Sequence, residues 1–252
     1  MKIKILLLTI LFSAFNVTYA DDHIEISGME AIQCNFEEGK DMDDVMKVIG
    51  EWNEYGDDNF GVPYSAWILT PIFRSNADFG NDFIFLGFSN SLANVGRAQD
   101  DFQRGAAKIG EKWEKATNCD SQSMNINVEV REPQNQWVEG GVHYTSVQSC
   151  SLKEGNSNAD FKANDKIWNG YLDAGGFKGG VWRWWPETGS SIDTDYDYLL
   201  AASFSTVEDY GAARDGRLQA MLSGTRPAEI HDCNMPRLYK STNIRLNLPS
   251  EG

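Results

Sequence analysis

Trp52-Asn53-Glu54-Tyr55 returns as Trp168-Asn169-Gly170-Tyr171, 116 residues further along the chain. Outward from these tetrads, Cys34 maps to Cys150 and Gly39 to Gly155 at the same offset. Asp82-Phe83 maps to Asp197-Tyr198 and Val95-Gly96 to Tyr210-Gly211 at 115, and Cys119 maps to Cys233 at 114. A collinear series with a slowly drifting offset marks an internal duplication. Each copy then holds two cysteines, 85 and 83 residues apart. None of the four forms a C-x-x-C, and of the three possible connectivities the repeat selects Cys34–Cys119 and Cys150–Cys233.

The start of the chain fits disulfides. Lys2 and Lys4 precede an apolar run from Ile5 to Phe15, and Thr18-Tyr19-Ala20 precedes Asp21-Asp22, the pattern of a secretory signal with cleavage expected after Ala20. The run is about half the length of a bilayer-spanning helix. The mature protein is expected in the periplasm or secreted, where disulfides persist, without integral membrane association. Its 41% hydrophobic and 12% aromatic residues are enough for a buried core. The formal charge is −15 for the 252 residues, and about −17 without the signal. No cluster of basic residues is present to neutralise a phosphate backbone, so nucleic acid is not an expected partner.

Within each copy the periodicities predict strand, helix, strand, strand, helix, strand. In the first, these are Ala31 to Phe36, a helix capped by Asp41, Tyr64 to Ile72, Phe83 to Phe88, a helix opened by Ser91, and Met124 to Val130. In the second they are Val142 to Leu152, Phe161 to Leu172, Val181 to Trp185, Tyr198 to Phe204, Thr206 to about Leu222, and Asn243 to Leu248. Residues 1–20 form the signal, 21–132 the first ferredoxin-like repeat, 133–141 a linker and 142–252 the second repeat.

This α+β fold, two βαββαβ units in one chain, resembles the dimeric α+β barrel superfamily. The resemblance covers nearly all of the mature chain and rests on element order, duplication and unit length. It implies a pseudo-dimeric barrel with helices outside and the inner sheet faces enclosing a cavity. The superfamily contains cofactor-free monooxygenases, haem-binding enzymes and proteins with no known activity.

Strand side chains alternate between faces. If Cys34 faces the helices, Ile32 and Phe36 do so too, leaving Ala31, Gln33 and Asn35 on the inner face. In the second copy the same logic places His143, Thr145, Val147 and Ser149 inside. On the closing strands Asn125, Asn127, Glu129 and Arg131 oppose Met124, Ile126, Val128 and Val130, and Asn243, Arg245 and Asn247 oppose Ile244, Leu246 and Leu248. Tyr64, Trp67, Trp182, Trp184 and Trp185 supply aromatic surface. The candidate ligand-binding set is therefore His143, Arg245, Asn127, Glu129, Gln33, Asn35, Trp67 and Trp184, aromatic area with a few orienting polar groups.

The chain contains no G-x-S-x-G, no H-E-x-x-H and no phosphate-binding glycine loop. His23 falls in the mature N-terminus, and His231 reads as a surface-loop residue. No histidine recurs at equivalent positions, so a symmetric two-site haem protein is not expected, and no cofactor or metal is assigned. Asp193, Asp195 and Asp197 read as a solvated turn. Two functions follow. One is a binding protein, monomer or homodimer, holding a small, partly aromatic ligand between the repeats. The alternative is a cofactor-independent monooxygenase-like enzyme, in which His143 and Arg245 would converge in one pocket beside a tryptophan.

Overall fold

The computed structural model describes residues 25–75 and 80–247. The expected signal, Met1 to Ala20, and Leu248 lie outside the described residues. In the first half, β1 (Glu25–Phe36) leads to α1 (Met42–Asn59), β2 (Ser65–Phe73) and β3 (Phe83–Ser89). Then come α2 (Leu92–Gly105), α3 (Ala107–Ala116) and β4 (Thr117–Arg131). The second half runs through β5 (Val142–Leu152), α4 (Phe161–Ala174), β6 (Val181–Pro186), β7 (Tyr198–Phe204), α5 (Val207–Ser223), β8 (His231–Cys233) and β9 (Arg237–Arg245).

The helix starts follow from capping side chains that take the first unsatisfied N–H groups. Asp41 accepts from the backbone of Asp43 and Asp44, Ser91 from Asn94, and Thr206 forms a reciprocal box with Asp209. The first copy's second helix is broken. Tyr55 Oη donates to the Asp101 carbonyl at 2.7 Å, competing for an acceptor of the helical ladder, and the chain steps at Ala106 into α3. The second copy's last strand differs from the expected Asn243 to Leu248. It comes earlier, as β8 and β9, which lie end to end along β5. The run Arg237–Arg245 hides its strand character because it is buried on both faces, with Leu238 and Tyr239 adjacent and both enclosed.

All pairings are antiparallel. In the first half the order is β4-β1-β3-β2, and in the second it is β9-β5-β7-β6. β4 pairs with β6 and β2 with β9, so eight strands close into a barrel with the helices outside. The disulfides are Cys34–Cys119 and Cys150–Cys233, each joining paired strands. No described helix is long and apolar enough to cross a membrane.

Both joins between the halves carry a β-bulge. On β4 the register slips between Glu129 and Arg131, and on β9 it slips between Asn243 and Arg245. One extra residue resets the alternation of faces. Val130 and Ile244 are those extra residues, and a bulge frees the carbonyl of such a residue from the ladder. The asparagines of the repeated tetrads occupy these positions: Asn53 Nδ2 donates to the Ile244 carbonyl at 2.6 Å, and Asn169 Nδ2 to that of Val130 at 2.9 Å. Each tetrad tyrosine reaches the next helix of its own half, Tyr55 to Asp101 and Tyr171 to Gly216. Packing at the helix end therefore accounts for the recurrence of the tetrad.

Candidate functional site

The barrel interior is a packed apolar core. Met29, Trp67, Leu69, Leu86, Val147 and Trp184 meet there. The space beside His143 and Trp137 amounts to about 10 Å³. Trp67 packs edge-on against Phe88 and Trp137, and His143 lies edge-on to Trp137 with centroids 4.5 Å apart. Burial lowers the His143 pKa, and its Nε2 makes no hydrogen bond among the described residues. Asn127 donates to Ser27 Oγ, and Glu129 accepts from Trp182 Nε1. Gln33 accepts from Asn81, while Asn35 donates to Asp120 and accepts from the Asp82 backbone.

Arg245 is elsewhere. The bulge turns it, like Arg131, to the helix side, where Arg245 meets Asp57 of α1 at 2.7 Å and Arg131 meets Asp173 of α4 at 2.6 Å. Parity alone had placed both on the inner face. His143 and Arg245 thus lie on opposite faces of the barrel wall. Tyr64 and Trp185 also belong to helix-side clusters, whereas Trp67, Trp182 and Trp184 face the interior. His231, expected in a surface loop, is buried in β8 with Nδ1 2.7 Å from Tyr198 Oη. Burial lowers the His231 pKa and pushes the Tyr198 hydroxyl up to about 12.

The large space is on the other side of the first half's sheet. A cavity of about 660 Å³ lies between the sheet and α1, α2 and α3, within the range of roughly 300–1,000 Å³ typical of organic-ligand sites. Trp52, Phe60, Tyr64, Phe85, Phe102 and Trp113 supply its aromatic surface. Its polar centre is Glu30, only 2% exposed. The Glu30 carboxylate accepts from Tyr64 Oη, from Gln99 Nε2 at 2.6 Å and from Gln122 Nε2 at 3.3 Å. Desolvation raises the Glu30 pKa, and these three hydrogen bonds oppose the rise. Burial and the neighbouring Glu30 carboxyl hold Tyr64 well above the usual phenol range.

A glycine makes this arrangement possible. β3 lies between β1 and β2, with Gly87 opposite both Glu30 and Ala66. A Cβ at residue 87 would stand 1.7 Å from Tyr64 Oη and 3.1 Å from Glu30 Cγ. The missing side chain is the opening through which Tyr64 crosses a strand to reach Glu30. Two signals pointed to this site: a glycine inside the β-rich run Phe83 to Phe88, and a carboxylate in Met29-Glu30-Ala31-Ile32 with the parity of Cys34. The second was missed because β1 begins at Glu25, six residues before the expected start.

The equivalent space in the second half is about 180 Å³. Ser146 stands there, 116 residues after Glu30, and charged pairs fill the volume: Arg183 with Asp165, and Arg217 with Glu229. Haem, which some members of the superfamily bind, would require an axial imidazole, thiolate, thioether or phenolate. Among the residues lining the larger cavity, Tyr64 is held as a phenol donating to Glu30, and Cys119 is in a disulfide. The smaller cavity contains His231, tied to Tyr198, in a volume far below that of a tetrapyrrole. The residues lining these two cavities do not fit haem.

No protein-family model and no curated protein matches the sequence. The fold is similar to that of chlorite dismutase from Candidatus Nitrospira defluvii. An arginine-to-lysine variant of that protein aligns with a TM-score of 0.51 at 10% identity, over 87% of this chain and 92% of that one. The same protein in complex with imidazole aligns at 0.51 and 9% identity, over 86% and 91%. A tryptophan-to-valine variant aligns at 0.51 and 10%, over 88% and 93%. The likeness is one of fold, and it supports the dimeric α+β barrel architecture.

Proposed function

We propose that this chain is an exported binding protein, built from two ferredoxin-like βαββαβ repeats, that holds one small, partly aromatic organic molecule beneath α1, α2 and α3 of the first repeat. The observation that carries the reading is the 660 Å³ cavity, with its aromatic lining and the buried Glu30 at its centre. Aromatic rings supply area, and a few fixed polar groups set orientation. The ligand site moves from between the repeats to one side of the first, because the barrel interior is filled by its own side chains. An oxygenase built on His143 and Arg245 finds no support, since the two residues face different compartments.

The test uses N-phenyl-1-naphthylamine, a neutral apolar fluorophore. Saturable 1:1 fluorescence enhancement, lost when Ala98→Phe fills the cavity, is expected. Absence of a saturable site, or a site that survives Ala98→Phe in a folded variant, would overturn the reading.

A further inference from the structure

We infer that the ligand of the first-half cavity is an organic cation, an amine or quaternary ammonium with an apolar or aromatic body. This rests on the cavity being a ligand site and adds its chemical selectivity. The charges facing the cavity have one sign. Glu30 lies at its base, Glu37, Glu114 and Asp120 stand exposed at its solvent side, and no lysine, arginine or histidine is among the described residues lining it. The Arg245 guanidinium lies 5.9 and 5.6 Å from the Trp52 and Phe60 ring centroids and is paired with Asp57.

Ring faces attract cations through their quadrupole, and more strongly when water is excluded. Six aromatic side chains surround the space that Glu30 overlooks. Tyr64, Gln99 and Gln122 hold the carboxylate through neutral donors, so none of its hydrogen-bond partners among the described residues is a counter-ion, and its charge is left to attract one. An anionic ligand would meet repulsion from all four carboxylates. A neutral one would leave Glu30 desolvated without compensation. The excess of 37 acidic over 22 basic residues adds a long-range field that draws cations toward the molecule.

The second half lacks this combination. Ser146 replaces the acid, and Arg183, Arg214 and Arg217 line the space. The selectivity is therefore a property of the first half alone.

The test compares three probes of similar size by isothermal titration calorimetry and tryptophan fluorescence on the mature protein: phenyltrimethylammonium, its neutral isostere tert-butylbenzene, and benzenesulfonate. The expected order is cation first, by at least about tenfold over the neutral probe, with benzenesulfonate not binding. Glu30→Gln, which keeps the shape and the hydrogen-bonding reach, is expected to weaken the cation about tenfold or more and to abolish its preference over tert-butylbenzene. Equal or tighter binding of tert-butylbenzene, or indifference of the cation to Glu30→Gln, overturns the inference while leaving the naphthylamine site intact. Failure of all three probes to bind where naphthylamine does overturns it as well. Failure of naphthylamine itself is failure of the cavity reading.

Discussion

Arg245 Nη1 lies 2.7 Å from Asp57 Oδ1, which ties the last strand of the second half to the first helix of the first half across 188 residues. Arg131 and Asp173 make the reciprocal tie at 2.6 Å. In both pairs the arginine side chain is buried and the acid is largely exposed. Each arginine follows a bulge residue whose carbonyl is taken by a tetrad asparagine. The two halves are joined twice by the same device, once at each seam of the barrel.

The asparagines are expected to contribute independently. Asn53→Ala and Asn169→Ala each leave a part-buried carbonyl without its donor and should cost about 1–2 kcal/mol. The seams share no partners, so the double variant should lose the sum within about 0.5 kcal/mol. Urea unfolding of the three variants checks both statements, and strong non-additivity would show that the seams are coupled.

Breaking both disulfides should be more costly. Each closes a loop of more than 80 residues, so removal of one pair by Cys34→Ala with Cys119→Ala is expected to cost up to about 4 kcal/mol. Thermal unfolding of each double variant, with and without reductant, measures it. A parent protein insensitive to reductant under unfolding conditions would contradict the expectation.

Stability should depend on Glu30 with a defined sign. Burial raises its folded-state pKa above the ordinary 4.5, so the folded protein holds this proton more tightly than the unfolded chain does. That contribution is fully present below about pH 4.5 and is lost as pH rises through the folded-state pKa. Glu30→Gln, neutral throughout, should exceed the parent in stability at about pH 8 and converge with it toward about pH 4. Denaturation midpoints across that range test the direction, and a gap that grows on acidification would reverse it.

Gly87 should not tolerate a methyl group. Gly87→Ala places Cβ on the Tyr64 hydroxyl and is expected to cost about 1–3 kcal/mol through overpacking. Gly87→Ala combined with Tyr64→Phe should recover part of that loss. No recovery in the double variant would place the clash on the Tyr64 ring, whose Cζ would stand 2.4 Å from that Cβ, rather than on its hydroxyl.

The proposed export predicts a mature N-terminus at Asp21. Expression of the full chain in a secreting bacterial host, followed by N-terminal sequencing of the exported product, checks the cleavage. Retention of Met1 to Ala20 in a membrane fraction would instead mark the segment as an anchor.

Much of the fold was legible because it is written in local patterns. Asp41, Ser91 and Thr206 announce helix starts through side chains that reach only two or three residues. The run Val142 to Leu152 reads as one strand, and β5 takes those bounds. The site was less legible. Tyr64 was grouped with Trp67 although they differ in parity, and Arg131 and Arg245 were placed by an alternation that one extra residue resets. Periodicity carries no sign of a bulge, because Val130 and Ile244 are ordinary strand residues. The cavity was assigned to the inner face because polar residues on edge strands suggested open space there, whereas Trp67, Trp137, Trp182 and Trp184 fill the interior.

The sequence by itself determined the pairing of the cysteines and the order of the elements, since each depends on spacing along the chain. Only the tertiary structure decided which face Arg245 takes, how Tyr64 passes Gly87 to reach Glu30, and that the space beneath the helices is wide in the first half while its equivalent in the second is narrowed by ion pairs. Those outcomes depend on register between strands far apart in the chain and on the volume left when helices settle on a sheet, and neither is a property of any one segment.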